Sequence, residues 1–91
     1  MPMADVPDTL IQYPCQFAIK VMAIAHDDLL TEIIEVAITH DPHFTEEKVS
    51  TRPSAKGNYL GVTLDIHATS REQLDNLYRA LSGHRLVKMV L

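Results

Sequence analysis

Residues 16–24 alternate, with Phe17, Ile19, Val21 and Ala23 on one side and Ala18, Lys20, Met22 and Ile24 on the other. A period of two predicts a β-strand, and apolar residues on both sides predict a central place in a sheet. The period then changes: Leu29, Leu30, Ile33, Ile34, Ala37 and Ile38 recur at helical spacing, which predicts a helix over 27–40 with a wide apolar stripe. Asp27 is placed to cap it, Asp28 and Glu32 lie where the helix dipole favours negative charge, and Asp41-Pro42 ends it, because proline drives the preceding residue out of helical geometry. Two more alternating runs, 46–54 and 58–68, flank Ala55-Lys56-Gly57 and predict a hairpin. Simple register pairs Lys48 with Asp65, Val49 with Leu64, Ser50 with Thr63 and Arg52 with Gly61. Leu60, Val62, Leu64 and Ile66 then face inward, and Tyr59, Thr63, Asp65 and His67 outward, while Pro53 predicts an edge strand. Ser70-Arg71-Glu72-Gln73 has the form of a capping box, opening a helix marked by Leu74, Leu77, Tyr78 and Leu81 and closed by Gly83. Residues 85–91 alternate again, with Val87, Met89 and Leu91 on one side and Leu86, Lys88 and Val90 on the other.

The order β-α-β-β-α-β predicts an α+β, ferredoxin-like sandwich. Its four-stranded antiparallel sheet would run in the order 4-1-3-2, with two helices on one face and the other face open to water. Pro2, Pro7 and Pro14, with Val6, Leu10, Ile11 and Tyr13 as anchors, predict an irregular arm over 1–14 ahead of a single domain over 15–91. Composition adds limits: 91 residues, 46% of them hydrophobic, suffice for one thin two-layer core without a large cleft. Cys15 is the one cysteine, which excludes a disulfide framework as well as the paired-cysteine motifs of zinc ribbons and thiol oxidoreductases. The longest apolar run, residues 21–25, falls far short of the ~20 needed to cross a bilayer, and the first basic residue is Lys20, unlike the charged start of a secretory signal. The expectation is a cytoplasmic protein without a membrane partner.

Candidate chemistry is sparse. His40 and His43 have an i, i+3 spacing, but Pro42 breaks any helix between them, and no metal or cofactor site is expected. Cys15 lacks a neighbouring cation in sequence and reads as a packing group; no glycine-rich phosphate loop is present, and no catalytic residue is assigned. Residues 56–62 carry a lysine, two glycines and Tyr59 where RNA-recognition motifs place such residues. With Tyr59 as the lone stacking group and a net charge of −4, no nucleic-acid partner is expected. The uncovered sheet face offers more. In the expected register Lys88, Lys20, Asp65 and Lys48 project from it, with Arg52 and His67 nearby, a locally positive surface on an acidic protein. Lys20, Lys48, Arg52 and Lys88 are therefore the candidate residues for an anionic ligand or acidic partner. His26, at the first strand-to-helix loop beside free helix amides, is a candidate for a small anion.

The residues also carry a resemblance. Ile11-Gln12-Tyr13-Pro14-Cys15-Gln16-Phe17-Ala18-Ile19-Lys20-Val21-Met22, the hairpin Arg52-Pro53-Ser54-Ala55-Lys56-Gly57-Asn58-Tyr59 with Val62-Thr63, Glu72-Gln73-Leu74-Asp75-Asn76-Leu77-Tyr78 and the terminal Val87-Lys88-Met89-Val90-Leu91 resemble the YbeD-like family, a bacterial group of unknown function. Two positions depart from it: Ala25-His26 replaces a glycine often found after the first strand, and Gly61 stands where Ser is common. The resemblance implies a fold similar to amino-acid-sensing ACT domains, no established enzyme activity, and a regulatory tie to lipoate synthesis through neighbouring genes. ACT domains commonly bind effectors at a dimer interface near the first strand-to-helix loop, where this chain has Ala25-His26-Asp27-Asp28, whose acids would repel a carboxylate. The leading expectation is a non-enzymatic regulatory or protein-interaction module with a protein partner or a second copy as homodimer. The alternative is an ACT-like sensor of a small anionic ligand or amino acid.

Overall fold

In a computed structural model that describes residues 12–91, β1 (Cys15–Ile24) and β3 (Tyr59–Ala68) pair antiparallel at the centre of a four-stranded sheet. β2 (Val49–Pro53) lies outside β3, and β4 (Val87–Val90) outside β1. This order, β2-β3-β1-β4, is the expected 4-1-3-2 read from the other edge. The hairpin register is as expected for Val49 with Leu64, Ser50 with Thr63 and Arg52 with Gly61, and Pro53 sits on an edge strand. The arm expected over 1–14 lies outside the described residues as far as residue 11. Tyr13 is half-buried against the core.

α1 (Leu29–His40) and α2 (Arg71–Ser82) cover one face of the sheet. Alternation makes this possible: Ile19, Val21 and Ala23 of β1 and Val62, Leu64, Ile66 and Ala68 of β3 all point to one side. There they meet Leu29, Ile33 and Ala37 of α1 and Leu74, Leu77, Tyr78 and Leu81 of α2 in one buried cluster. Fully burying a side chain of this size is worth roughly 1.5–3 kcal/mol. The core thus uses nearly every inward position of the two central strands.

Several local expectations are corrected. α1 starts at Leu29 with Asp28 as its N-cap, which makes no side-chain cap bond; Asp27 stands outside the helix. His26 closes this turn instead, its Nδ1 accepting the Asp28 N–H at 3.0 Å and its carbonyl accepting the Leu29 N–H at 3.0 Å. Leu30 and Ile38 are exposed, because α1 is apolar over a wider arc than one sheet face can cover. The strand expected from residue 46 opens as a 3-10 turn over Glu46–Lys48, so Lys48 has no ladder partner. On β4, Met89 pairs with Met22 but Val87 with Ala23, leaving Lys88 as the extra residue of a bulge. The bulge overturns the expected faces: Val87 and Val90 both pack on the core, while Met89 and Leu91 are exposed.

Ser70 caps α2 as expected, accepting the Gln73 N–H at 3.1 Å. The reciprocal bond lands one residue earlier than in a capping box. Gln73 Oε1 accepts the Thr69 N–H at 2.6 Å, and its Nε2 donates to the carbonyls of His40 at 2.8 Å and His67 at 3.1 Å. One side chain therefore joins the start of α2, the end of α1 and the end of β3.

Candidate functional site on the open sheet face

The strand ladders line up outward side chains in rows across the uncovered face. One row runs Arg52, Gly61, Met22, Met89. The next runs Ser50, Thr63, Lys20, and Leu91 joins it by donating its N–H to the Lys20 carbonyl at 2.7 Å. Gly61 leaves a gap in the first row, and a Cβ there would come within 3.3 Å of the Arg52 carbonyl. Above it lies an open depression of about 290 Å³, with Ser50 and Arg52 on one side and Lys20, Met22 and Leu91 on the other.

The depression joins two kinds of chemistry. Lys20 and Arg52 bring positive charge, and the hydroxyls of Ser50 and Thr63 can bond an anion's oxygens. Around them the surface is apolar: Met22 is 38% exposed, Met89 and Leu91 54% each, and Tyr59, opposite Ile24 in the ladder, 43%. Asp65 stands farther along β3, opposite Ala18 and outside the lining. The face is therefore less purely basic and more apolar than its sequence suggests. Met89 and Leu91 were hidden from a sequence reading because the bulge that turns them outward leaves no mark in the alternation.

Of the remaining candidates, Lys48 is half-buried in the 3-10 turn, its Nζ 3.5 Å from the His43 carbonyl. Lys88 is exposed at the bulge and does not line the depression. His26 lies beyond the end of β1. Its bond from the Asp28 N–H occupies one of the amides that an anion would need, and the Asp28 carboxylate stands 3.9 Å from the ring. A third cluster links α1 to the segment before β4: Arg85 binds Glu32 at 2.5 Å, and His84 Nε2 lies 3.0 Å from the other oxygen of Glu32. Leu86 donates its N–H to His84 Nδ1, so the Nε2 proton points at the carboxylate. The hydrogen bond from Arg85 holds the Glu32 carboxyl below its ordinary range, while the same bond raises the Arg85 guanidinium.

Cys15 is half-buried opposite Ala68 and packs on the core. Among the described residues no group of three or more His, Cys, Asp or Glu side chains is arranged to hold a metal ion, and no helix is long and apolar enough to cross a membrane. Sequence reasoning placed Asp41 only at a helix end, yet the structure buries it. Its carboxylate accepts the His43 N–H at 3.1 Å and the His67 N–H at 2.9 Å. The rings of His43 and His67 meet edge to face nearby, their centroids 6.5 Å apart.

Together these features define a small ferredoxin-like sandwich whose open sheet face carries a cation-flanked depression beside exposed methionines. Residues 8–91 match the family model described as "Protein of unknown function (DUF493)", and the chain belongs to this family. It is 56% identical over 87 residues to a UPF0250 protein of Janthinobacterium sp. (strain Marseille), covering 96% of each chain. It is 52% identical over 91 residues to a UPF0250 protein of Leptothrix cholodnii and 49% identical over 89 residues to one of Paraburkholderia phymatum, covering 98% of this chain and 100% of each relative. This is the bacterial group to which the YbeD-like resemblance pointed.

Proposed function

We propose that this protein is a non-catalytic, cytoplasmic interaction module with a regulatory role, docking an acidic, partly apolar segment of a protein partner on its open sheet face. The observation that carries the reading is the depression itself, where Lys20 and Arg52 flank a floor of Gly61 beside exposed Met22, Met89 and Leu91. Flexible methionines suit a surface that moulds to a partner segment, and flanking cations set its orientation. A tie to lipoate synthesis rests on the family resemblance alone.

The test is affinity capture from the source cytosol with wild type and a Lys20→Glu/Arg52→Glu variant. The variant is expected to lose the partner while keeping its melting temperature, and the bound partner should shield Met22 and Met89 from peroxide oxidation. Equal capture by both proteins would refute the reading. The same two cations and hydroxyls favour a small carboxylate or phosphate as a second reading, which melting shifts across a panel of such anions would reveal.

A further inference from the structure

The outer edge of β2 is a second surface, adjoining the depression at Thr51 but facing away from the sheet. The Ser54 N–H donates to the Tyr59 carbonyl at 3.0 Å, and Arg52 and Ser50 pair with Gly61 and Thr63. Backbone groups alternate sides along an antiparallel strand. Arg52 and Ser50 therefore turn theirs toward β3, whereas Thr51 turns its N–H and carbonyl outward, as Val49 and Pro53 do their carbonyls. The Val49 N–H is already taken, donating to the Glu46 carbonyl to close the 3-10 turn. Among the described residues no strand pairs with that edge. Directly beside it runs a groove of about 460 Å³ in which Leu30 and Ile34 of α1 meet Val49 and Thr51. Leu30 and Ile38, in line with Ile34 along α1, are 37% and 44% exposed. An unpaired backbone edge and an unburied helix stripe thus adjoin.

The charges at the two ends of β2 identify what covers them. Glu46 and Glu47 stand just before the strand, and Arg52 and Lys56 at and after its other end. A partner strand of the same pattern, running antiparallel, matches acid to base at both ends, and β2 of a second copy has that pattern. We infer that the protein forms a two-fold dimer by antiparallel pairing of β2 with β2 of a second copy, centred on Thr51. In this register the two Thr51 residues exchange N–H···O bonds. Val49 falls opposite the partner copy's Pro53, where neither has a free N–H to lose, so the proline is tolerated. The backbone exchange is therefore short, and the charged ends and the helix stripes supply the rest. Beyond the paired residues the acidic 3-10 turn holding Glu46 and Glu47 and the turn holding Lys56 leave the ladder, so on both sides of the axis acid and base come near one another without a strand register. The sheets join into one, and each α1 brings Leu30, Ile34 and Ile38 toward its symmetry mate.

The experiment uses sedimentation equilibrium of the full chain. Wild type is expected to associate to a dimer as its concentration rises, with protection of the Thr51 amide increasing in step. Glu46→Lys and Lys56→Glu each turn two symmetry-related attractions into repulsions, and each should weaken the dimer about tenfold or more. In a mixed pair, the lysine introduced at position 46 of one copy meets the glutamate introduced at position 56 of the other. The unchanged Lys56 and Glu46 meet at the second contact, so a heterodimer of near wild-type affinity should form. A wild-type chain that stays monomeric at millimolar concentration overturns the inference. So does a mixture that associates no better than its parts, which would mean another surface is used.

Discussion

Asp41 is 1% exposed, and its carboxylate oxygens take the N–H groups of His43 and His67. The need for it follows from the sheet. The β2–β3 ladder stops at Val49 opposite Leu64, so the His67 backbone, on the same side of β3, has no strand beside it among the described residues. Asp41 accepts its N–H and Gln73 donates to its carbonyl, so two side chains stand in for the missing strand. Asp41→Ala leaves a partly buried amide without an acceptor and should cost about 1–3 kcal/mol, read as a lower denaturant midpoint at unchanged slope. Asp41→Asn, which keeps one acceptor oxygen, should fall between. Gln73→Glu retains the acceptor for Thr69 but sets oxygen against the His40 and His67 carbonyls, so it should destabilise at least as much as Gln73→Ala. None of this is visible along the chain, because Asp41 and His67 are 26 residues apart and local pattern shows only that Asp41 precedes a proline.

At the scale of elements, α1 is fastened to the segment entering β4 by Glu32, Arg85 and His84. Arg85 holds the folded Glu32 carboxyl below the ordinary value of 4.5, so the folded state binds that proton less readily than the unfolded chain. The contribution is fully present above the ordinary carboxylate range and is lost as pH falls through the lowered folded value. Glu32→Gln should therefore melt lower than wild type at neutral pH, with the gap closing in acid; a gap independent of pH would count against this coupling. The element order and the central register were legible because period-two and helical spacing are strong on β1, β3 and α2, where burial alternates cleanly. The pattern failed where geometry departs from regular repeats. A 3-10 turn removes Lys48 from the ladder, a bulge makes Lys88 an extra residue and turns Met89 outward, and an α1 apolar beyond its buried arc leaves Leu30 and Ile38 uncovered. Lys20 and Arg52 do lie on the open face, because both belong to unbroken alternation.

For the whole molecule, a net charge of −4 is divided between surfaces of different character. Lys20 and Arg52 face the depression, whereas Glu35 and Glu46 line the groove beside the β2 edge. If the face holds an acidic partner and the edge a second copy, the two can be occupied together, since the groove and the depression lie on opposite sides of the sheet. Lys20→Glu should then abolish partner capture without changing the dimer's dissociation constant. Glu46→Lys should dissociate the dimer yet leave capture intact. Partner binding should also weaken as salt is raised from low to physiological strength, because the cations of the face are exposed and the Debye length shrinks to about 8 Å. Sedimentation and capture carried out on the same two variants decide the matter: loss of the partner by Glu46→Lys as complete as its loss of the dimer would mean that one surface serves both, and that the face binds only when a second copy completes it.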